Sequence, residues 1–395
     1  MPCVIYVPGF SASELSFDRF GSDVFWCNYS RVVVRGLEVM RLSDDGEQPG
    51  GSSGALLFPT AVLTPYWGPI SELLTAQLQP AGYAVRVFPW DWRQSILSAG
   101  ERLAAEVELL PAERLPAVFV AHSAGGLVAR AAWAKLRADN RHQRLRRIVA
   151  VATPNCGTYY AVNSFSGVSE FVAQVVALAN VIGGPFGAAL AGFYATWGAA
   201  QVVDVCLTWP CLYQLLPVVG ASDAAGDPNR SYLYDGAEWH GLPAPISARH
   251  LQETRDVFHA FLLDPASRPP AEVMTCVSGT GYDTPYTLGN PALLGFPQAL
   301  GHTQAGDGVV TTASAEDGFP IVLRVTGRHS DIPWALASSG QLASLILDER
   351  TPATSPRSTT VDPYPIPVVL GGPPIPALSL AGLYDADCYR GRCGC

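Results

Sequence analysis

The chain has 395 residues, a formal net charge of −9 and a pI near 5.3. That acidic balance, with no basic run beyond Arg141 to Arg147, excludes a surface built to track nucleic-acid phosphates. Charged residues are 15% of the chain and hydrophobic ones 48%, so there is more apolar area than a heavily solvated surface uses, and the excess needs an internal role.

Taken in chain order, strands are expected at Val4 to Val7, Val32 to Val34, Ala84 to Phe88, Val118 to Ala121, Arg147 to Ala152, Val273 to Ser278 and Ile321 to Val325. Helices are expected at Pro69 to Leu78, Ala99 to Leu110, Ala124 to Ala138, Arg249 to Leu263 and Ala335 to Leu347. Strands alternating with helices predict a parallel sheet. Met1 and Pro2 lead straight into Cys3 to Val7, which leaves no room for the basic and apolar parts of an export signal, so the expectation is a cytoplasmic protein. Asp44 to Gly54 is a glycine-rich loop, the basic cluster at Arg141 to Arg147 a solvated helix end, and 351–395 a Pro-rich tail extended over the surface.

The most informative stretch is Val118-Phe119-Val120-Ala121-His122-Ser123-Ala124-Gly125-Gly126, where an apolar strand runs into a sharp corner and then a helical pattern. A serine on such a strand-to-helix turn has its hydroxyl pushed out beyond the sheet edge, and the turn tolerates only small neighbours two residues to either side. Here those neighbours are Ala121 and Gly125, so the sequence departs from GxSxG by one methyl group. Ser123 is the candidate nucleophile.

Such a serine needs an acid and then a histidine later in the chain. His329 follows the alternating strand Ile321 to Val325 on a loop, which suits a general base, and His302 is its rival. His122 adjoins the serine but is expected to point away from it. Two carboxylates compete for the acid. Asp283 closely follows the core strand Val273 to Ser278, whereas Asp307 sits between two glycines in a turn that presents it inward. Residue pattern alone divides them evenly.

Between Glu170 and Asp204 there is no charge, yet Gly183-Gly184-Pro185 interrupts the run and leaves two apolar helices well short of the ~20 residues of a membrane span. The expectation is a cap over Ser123 whose apolar inner face takes an acyl chain, with a membrane span or interfacial anchor and plain buried core as the alternatives. Nine cysteines are an odd number, so at least one is unpaired within the chain; Cys206 and Cys211 read either as a bridge or as small buried hydrophobes. Cys388, Cys393 and Cys395 lack a nearby histidine and make an incomplete metal knuckle, so neither a metal nor a cofactor is expected.

Several separated segments resemble, in order, those of the lecithin:cholesterol acyltransferase-like lipases. Val7-Pro8-Gly9-Phe10-Ser11-Ala12-Ser13-Glu14-Leu15 resembles the amino-terminal oxyanion segment, and Phe88-Pro89-Trp90-Asp91-Trp92-Arg93 the aromatic-Asp-Trp-Arg signature. Ala121 to Gly126 matches the elbow, Thr153 to Thr158 the segment after the next strand, Tyr213-Gln214-Leu215-Leu216-Pro217 a cap signature, and Gly306-Asp307-Gly308 with His329 the acid and base segments. Departures are Ala121, Trp90 where tyrosine is frequent, and Asn155-Cys156. The blocks span residues 4 to about 348.

The resemblance implies an α/β-hydrolase fold: a mostly parallel central sheet flanked by helices, with an inserted helical cap. Its division would be a core over 1–158 and 249–350, a cap over 159–248 and the tail over 351–395. It favours Asp307 as the acid. Oxyanion donors would be the N–H groups of Ala124 and Phe10, since Pro8 has none to give and Gly9 allows close approach. Ser11, Trp90 and Asp91 become candidates for the substrate pocket, with core packing the alternative for Trp90 and Trp92. The activity implied is a serine carboxylic-ester hydrolase acting on an apolar acyl ester through an acyl-enzyme, with transient contact to a lipid interface. Lipid O-acyl transfer by the same triad is one alternative, and a catalytically silent lipid-binding protein is another.

Overall fold

Along Cys3–Val7 the side chains of Cys3, Ile5 and Val7 enter one hydrophobic cluster while Val4 and Tyr6 enter another. Along Ala117–His122, Ala117, Phe119 and Ala121 alternate with Val118 and Val120 in the same way. Every one of these residues is buried, the signature of strands covered on both faces rather than half-solvated. The computed structural model describes residues 1–26, 28, 31, 35–63, 67–165, 200–221, 230–242, 244–288, 290, 292, 294, 300–347 and 357–360.

Among the described residues seven strands make one sheet. In chain order they are β1 (Cys3–Val7), β5 (Ala84–Val87), β6 (Ala117–His122), β7 (Leu145–Val151), β8 (Met274–Thr280), β11 (Ile321–Thr326) and β12 (Arg357–Thr360). Their spatial order is β12-β11-β8-β7-β6-β1-β5, and each neighbouring pair is parallel. All strand ends that carry loops toward a site therefore open on one edge.

Helices cover both faces. On one side lie α2 (Ile96–Leu109) and α3 (Ala124–Ala138), contributing Leu103, Leu127 and Leu136 to the larger cluster. On the other lie α1 (Gly68–Leu78), α5 (Asp331–Ser338) and α6 (Gln341–Leu347), contributing Ile70, Leu74, Leu336 and Ile346. Each such side chain taken fully out of water contributes about 1.5–3 kcal/mol to folding. Ser95 caps α2 by accepting from Leu97 N at 3.2 Å. Arg144 covers the other end of α2, donating to the carbonyls of Val107, Glu108 and Leu110 at 2.8–3.3 Å. So the basic segment at 141–147 holds a helix terminus in addition to meeting solvent.

Two elements differ from their sequence expectation. The helix anticipated at Ala335 to Leu347 is two, α5 and α6, broken at Ser339-Gly340, and the one at Arg249 to Leu263 is α4 (Ala248–Glu253) followed by a π-turn segment and a last turn over His259–Leu263. Periodicity continues through both breaks, which is why the pattern reads as unbroken. Three short strands, β2 (Ser13–Ser16), β3 (Val24–Trp26) and β4 (Phe58–Val62), form a separate antiparallel sheet, and β9 (Thr284–Leu288) pairs with β10 (Leu300–Thr303) as a hairpin. Residues 357–360 of the tail join the main sheet as β12. The expected strand at Val32 to Val34 lies outside the described residues, as do residues 166–199, which hold most of the uncharged stretch between Glu170 and Asp204, and the cysteines at 27, 388, 393 and 395. Cys206 and Cys211 are buried thiols with no bridge between them, and Cys3, Cys156 and Cys276 are buried as well. Among the described residues no helix is long and apolar enough to cross a membrane.

Candidate active site

Ser123 stands between β6 and α3 with φ 54° and ψ −130°, a conformation costly for a non-glycine residue. It is held there by its own N–H, which donates to Val151 O on β7 (2.9 Å), and by its carbonyl, which accepts from Gly126 N (2.9 Å). The small neighbours are required. A Cβ on Gly125 would run into the carbonyls of Val7 and Pro8, and one on Gly9 would stand 3.0 Å from the Ser123 Cβ. The loop after β1 is thus drawn against the elbow.

His329 follows β11 and directs Nε2 to Ser123 Oγ at 2.9 Å. Its Nδ1 lies 2.9 Å from Asp307 Oδ2. An ionised carboxylate only accepts, so Nδ1 carries the proton and the Nε2 lone pair accepts from the serine hydroxyl. Asp307 is 1% exposed, and its other oxygen accepts from Val309 N (3.0 Å) and Val310 N (2.8 Å). Thr284 Oγ1 accepts from Gly308 N (2.9 Å), and His329 N donates to Asp307 O (2.9 Å), so acid and base loops are joined through main chain as well as side chain. The His329 side chain keeps 12% exposure, whereas that of Asp307 keeps none.

The competing carboxylate, Asp283, pairs instead with His302 Nδ1 at 3.1 Å, both side chains largely exposed at 65% and 42%. Neither approaches Ser123 through any described contact. His122 does not simply turn away. Its Nε2–H donates to His329 O at 3.1 Å and its ring lies 4.7 Å from that of His329 and 4.9 Å from Trp67. Burial first, and the neighbouring imidazole of His329 second, hold His122 far below the usual imidazole range, so it is neutral. Its Nδ1 is buried without a hydrogen-bond partner and lies beside Gly9. Sequence reasoning missed this contact, whose only signal is adjacency to the serine.

Of the expected oxyanion donors, Ala124 directly follows Ser123 and Phe10 directly follows Gly9. The Ala124 N–H opens α3, where the first amides have no intrahelical acceptor. Phe10 sits edge-on to Trp92 at 5.0 Å, with Trp209 a further 5.3 Å from Trp92. Trp90, wholly buried, donates from Nε1 to Pro8 O (2.8 Å) and from its main-chain N to Ser13 Oγ (3.1 Å). Trp92 donates from Nε1 to Ser13 O (3.0 Å), and Ser11 O accepts from Trp26 Nε1 (3.0 Å). Asp91 grips Arg93 with two bonds of 2.7 and 2.9 Å, both side chains 2% exposed, and Arg93 reaches Met40 O at 3.3 Å. Trp90 therefore braces the loop bearing Gly9 and Phe10 through Pro8 O, Asp91 holds Arg93, and Ser11 lies within that loop.

The remaining motif segments converge on the acid loop. Thr158 Oγ1 donates to Val309 O, Cys156 N donates to Ser314 Oγ (3.1 Å), and Thr158 N donates to Leu215 O (2.8 Å). A cleft of about 550 Å³, lined by Trp133, Arg137, Phe319 and several prolines, opens near the starts of β7, β8 and β11, away from these residues. It contains none of the three aligned side chains.

No family model and no curated protein matches the sequence. Among solved structures, the Tle4-Tli4 complex is similar over 87% of this chain and 98% of that one, at 15% identity and a TM-score of 0.54. The chain has the α/β-hydrolase fold. The mature lipase BlEst2 of Bacillus licheniformis aligns over 87% of this chain and 91% of its own at 13% identity and a TM-score of 0.41. EstA from Clostridium botulinum aligns over 89% and 88% at 12% identity and a TM-score of 0.38. At 15% identity the likeness to the Tle4-Tli4 complex is one of fold, and the chemistry rests on the side chains.

Proposed function

We propose that the protein is a serine carboxylic-ester hydrolase of lipase type, a relative of the lecithin:cholesterol acyltransferase-like lipases, acting on an apolar acyl ester. The observation that carries this reading is the unbroken relay from Ser123 Oγ through both nitrogens of His329 to Asp307, each step 2.9 Å.

Ser123 attacks the ester carbonyl as His329 Nε2 takes the hydroxyl proton, and Asp307 fixes the tautomer and stabilises the imidazolium. The tetrahedral oxyanion is met by the N–H groups of Ala124 and Phe10, each worth on the order of 100- to 1,000-fold in rate. Collapse expels the alcohol, which receives its proton from His329, and leaves an acyl group on Ser123. Water, deprotonated by the same imidazole, then releases the acid. In this reading the cap over the acyl chain is the stretch 159–248, with the uncharged run between Glu170 and Asp204 inside it.

The test is labelling with a fluorophosphonate probe, followed by chain-length scans of p-nitrophenyl esters with and without an added alcohol. Labelling that disappears in Ser123→Ala supports the enzyme, and absence of labelling in the unmodified protein overturns it in favour of a lipid-binding protein. Acyl transfer to the alcohol in place of release to water would identify the protein as a transferase.

A further inference from the structure

The loop between β2 and β3 holds one aromatic ring out in water. Phe20 is 95% exposed, whereas the rings at the base of the loop are covered: Arg35 lies 5.2 Å over Phe17 and Arg19 5.1 Å over Phe58. This exposure is not slack chain. The Asp18 carboxylate accepts from the N–H of Phe20 (2.7 Å), Ser22 (3.3 Å) and Asp23 (2.7 Å), and from the Ser22 hydroxyl (2.9 Å). Phe17 N closes the loop on Asp23 O at 3.0 Å. Five hydrogen bonds thus fix a tip whose outermost group is the one side chain that gains nothing from water.

Leu56, 54% exposed, lies two residues before Phe58, which pairs with Ser16 at the same end of this small sheet. The neighbouring charges are sorted. Asp18 is saturated by the loop and Asp23 pairs with Arg31 at 2.6 Å, while Arg19 and Arg35 have no carboxylate partner among the described residues. In a chain of net charge −9, this rim is locally cationic.

We propose that the Phe17–Asp23 loop is an insertion tip for a glycerophospholipid surface, Phe20 and Leu56 entering the boundary between headgroups and acyl chains while Arg19 and Arg35 meet lipid phosphates. A protein partner fits less well: specific protein interfaces bury about 800 Å² on each side around a packed centre, and a single ring on a convex tip offers no such area. A bilayer needs no complementary shape. It accepts apolar side chains to a depth of roughly 5–10 Å and places phosphates at the level of the flanking guanidinium groups. The inference deepens the lipase reading by naming the surface on which its substrate is met, but the contact itself requires no turnover.

The experiment uses the full chain carrying Ser123→Ala and flotation with phosphatidylcholine vesicles. The chain is expected to float. Adding Phe20→Ser lowers the partition coefficient about tenfold, the loss of most of one aromatic side chain from the boundary. Arg19→Glu lowers it as well. Leu109→Ser, which removes an equally isolated apolar group (84% exposed) at the far end of α2, leaves it unchanged. Far-UV circular dichroism and the urea midpoint of Phe20→Ser match those of the parent. Failure of the parent to float, or an equal loss in Leu109→Ser, overturns the proposal. Fluorophosphonate labelling of the unmutated chain separates the two readings: flotation without labelling sinks the lipase and leaves the tip, and labelling without flotation does the reverse.

Discussion

The imidazole of His122 donates a hydrogen bond to the main-chain carbonyl of His329 at 3.1 Å, so the residue before the serine grips the very residue that faces the serine. Elbow and base loop are thereby joined twice, once through side chains and once through this strap. His122→Phe keeps a ring against Trp67 but removes the donor. One hydrogen bond of this kind is worth about 1 kcal/mol. The expected result is a kcat lower by about five- to tenfold at nearly constant KM, with a thermal midpoint within a few degrees of the parent. A change confined to stability would show that the strap does not position the base.

Asp307 and Asp283 make a direct comparison. In Asp307→Asn the amide presents an N–H to His329 Nδ1, which drives the ring proton to Nε2 and leaves nothing to accept from Ser123. The expected loss in kcat is about 10⁴-fold, as for other Ser-His-Asp triads. Asp283→Asn disturbs only the exposed pair with His302 and is expected to stay within about twofold of the parent. Steady-state hydrolysis of a short p-nitrophenyl ester measures both. Loss in the second variant rather than the first would transfer the acid's role to Asp283.

Gly125→Ala tests how closely the loop after β1 presses on the elbow. The added methyl meets the carbonyls of Val7 and Pro8, neither of which is a flexible side-chain end. Overpacking of this sort costs about 1–3 kcal/mol. Urea unfolding should show a lower midpoint at unchanged slope, and activity should fall further than stability, because the displaced segment carries the Phe10 N–H.

Stability should decline on mild acidification. His259 is buried with Nδ1 accepting from Val219 N (3.3 Å) and Nε2 donating to Tyr234 Oη (3.0 Å), which in turn donates to Pro217 O (2.9 Å). Burial, then Arg230 and Arg255, lower its pKa from 6.5 to about 4. Above pH 6.5 both folded and unfolded chains hold it neutral and its full contribution is present; as pH falls from 6.5 toward 4, only the unfolded chain takes up the proton. The loss across that window is about 3 kcal/mol, and His122, shifted the same way, adds to it. Urea titrations at pH 7, 6, 5 and 4 check the slope, which His259→Gln should flatten.

The sheet and the aligned side chains were legible because their signals are local or strictly ordered. Doubly covered strands such as β1 and β6 read as continuous apolar runs, and Ser123 is marked by a strand, a corner of small residues and a helix in succession. The choice between Asp283 and Asp307 was not legible from residue pattern. It depends on the β9–β10 hairpin, which returns the chain so that Tyr282 bridges Asp307, and spacing along the sequence carries no trace of that return. The three strands near the oxyanion loop escaped for a different reason. They are three to five residues long, and Pro59 stands inside the third, where Ser16 pairs with Phe58. His122 illustrates a third limit: alternation predicts which face of a strand a side chain takes, but not which distant carbonyl passes within its reach.

Among the described residues the main sheet is bounded on each side by a four-residue strand, Ala84–Val87 at one margin and Arg357–Thr360 at the other. Open strand margins are templates for recruitment of a second polypeptide, and the hazard grows with their length and flatness. Here the long inner strands are shielded by short ones, and Arg86 places an exposed charge midway along one of them. A molecule with this much apolar content can therefore expose its sheet rims at high concentration without offering a neighbour enough hydrogen-bonding length to start a fibril.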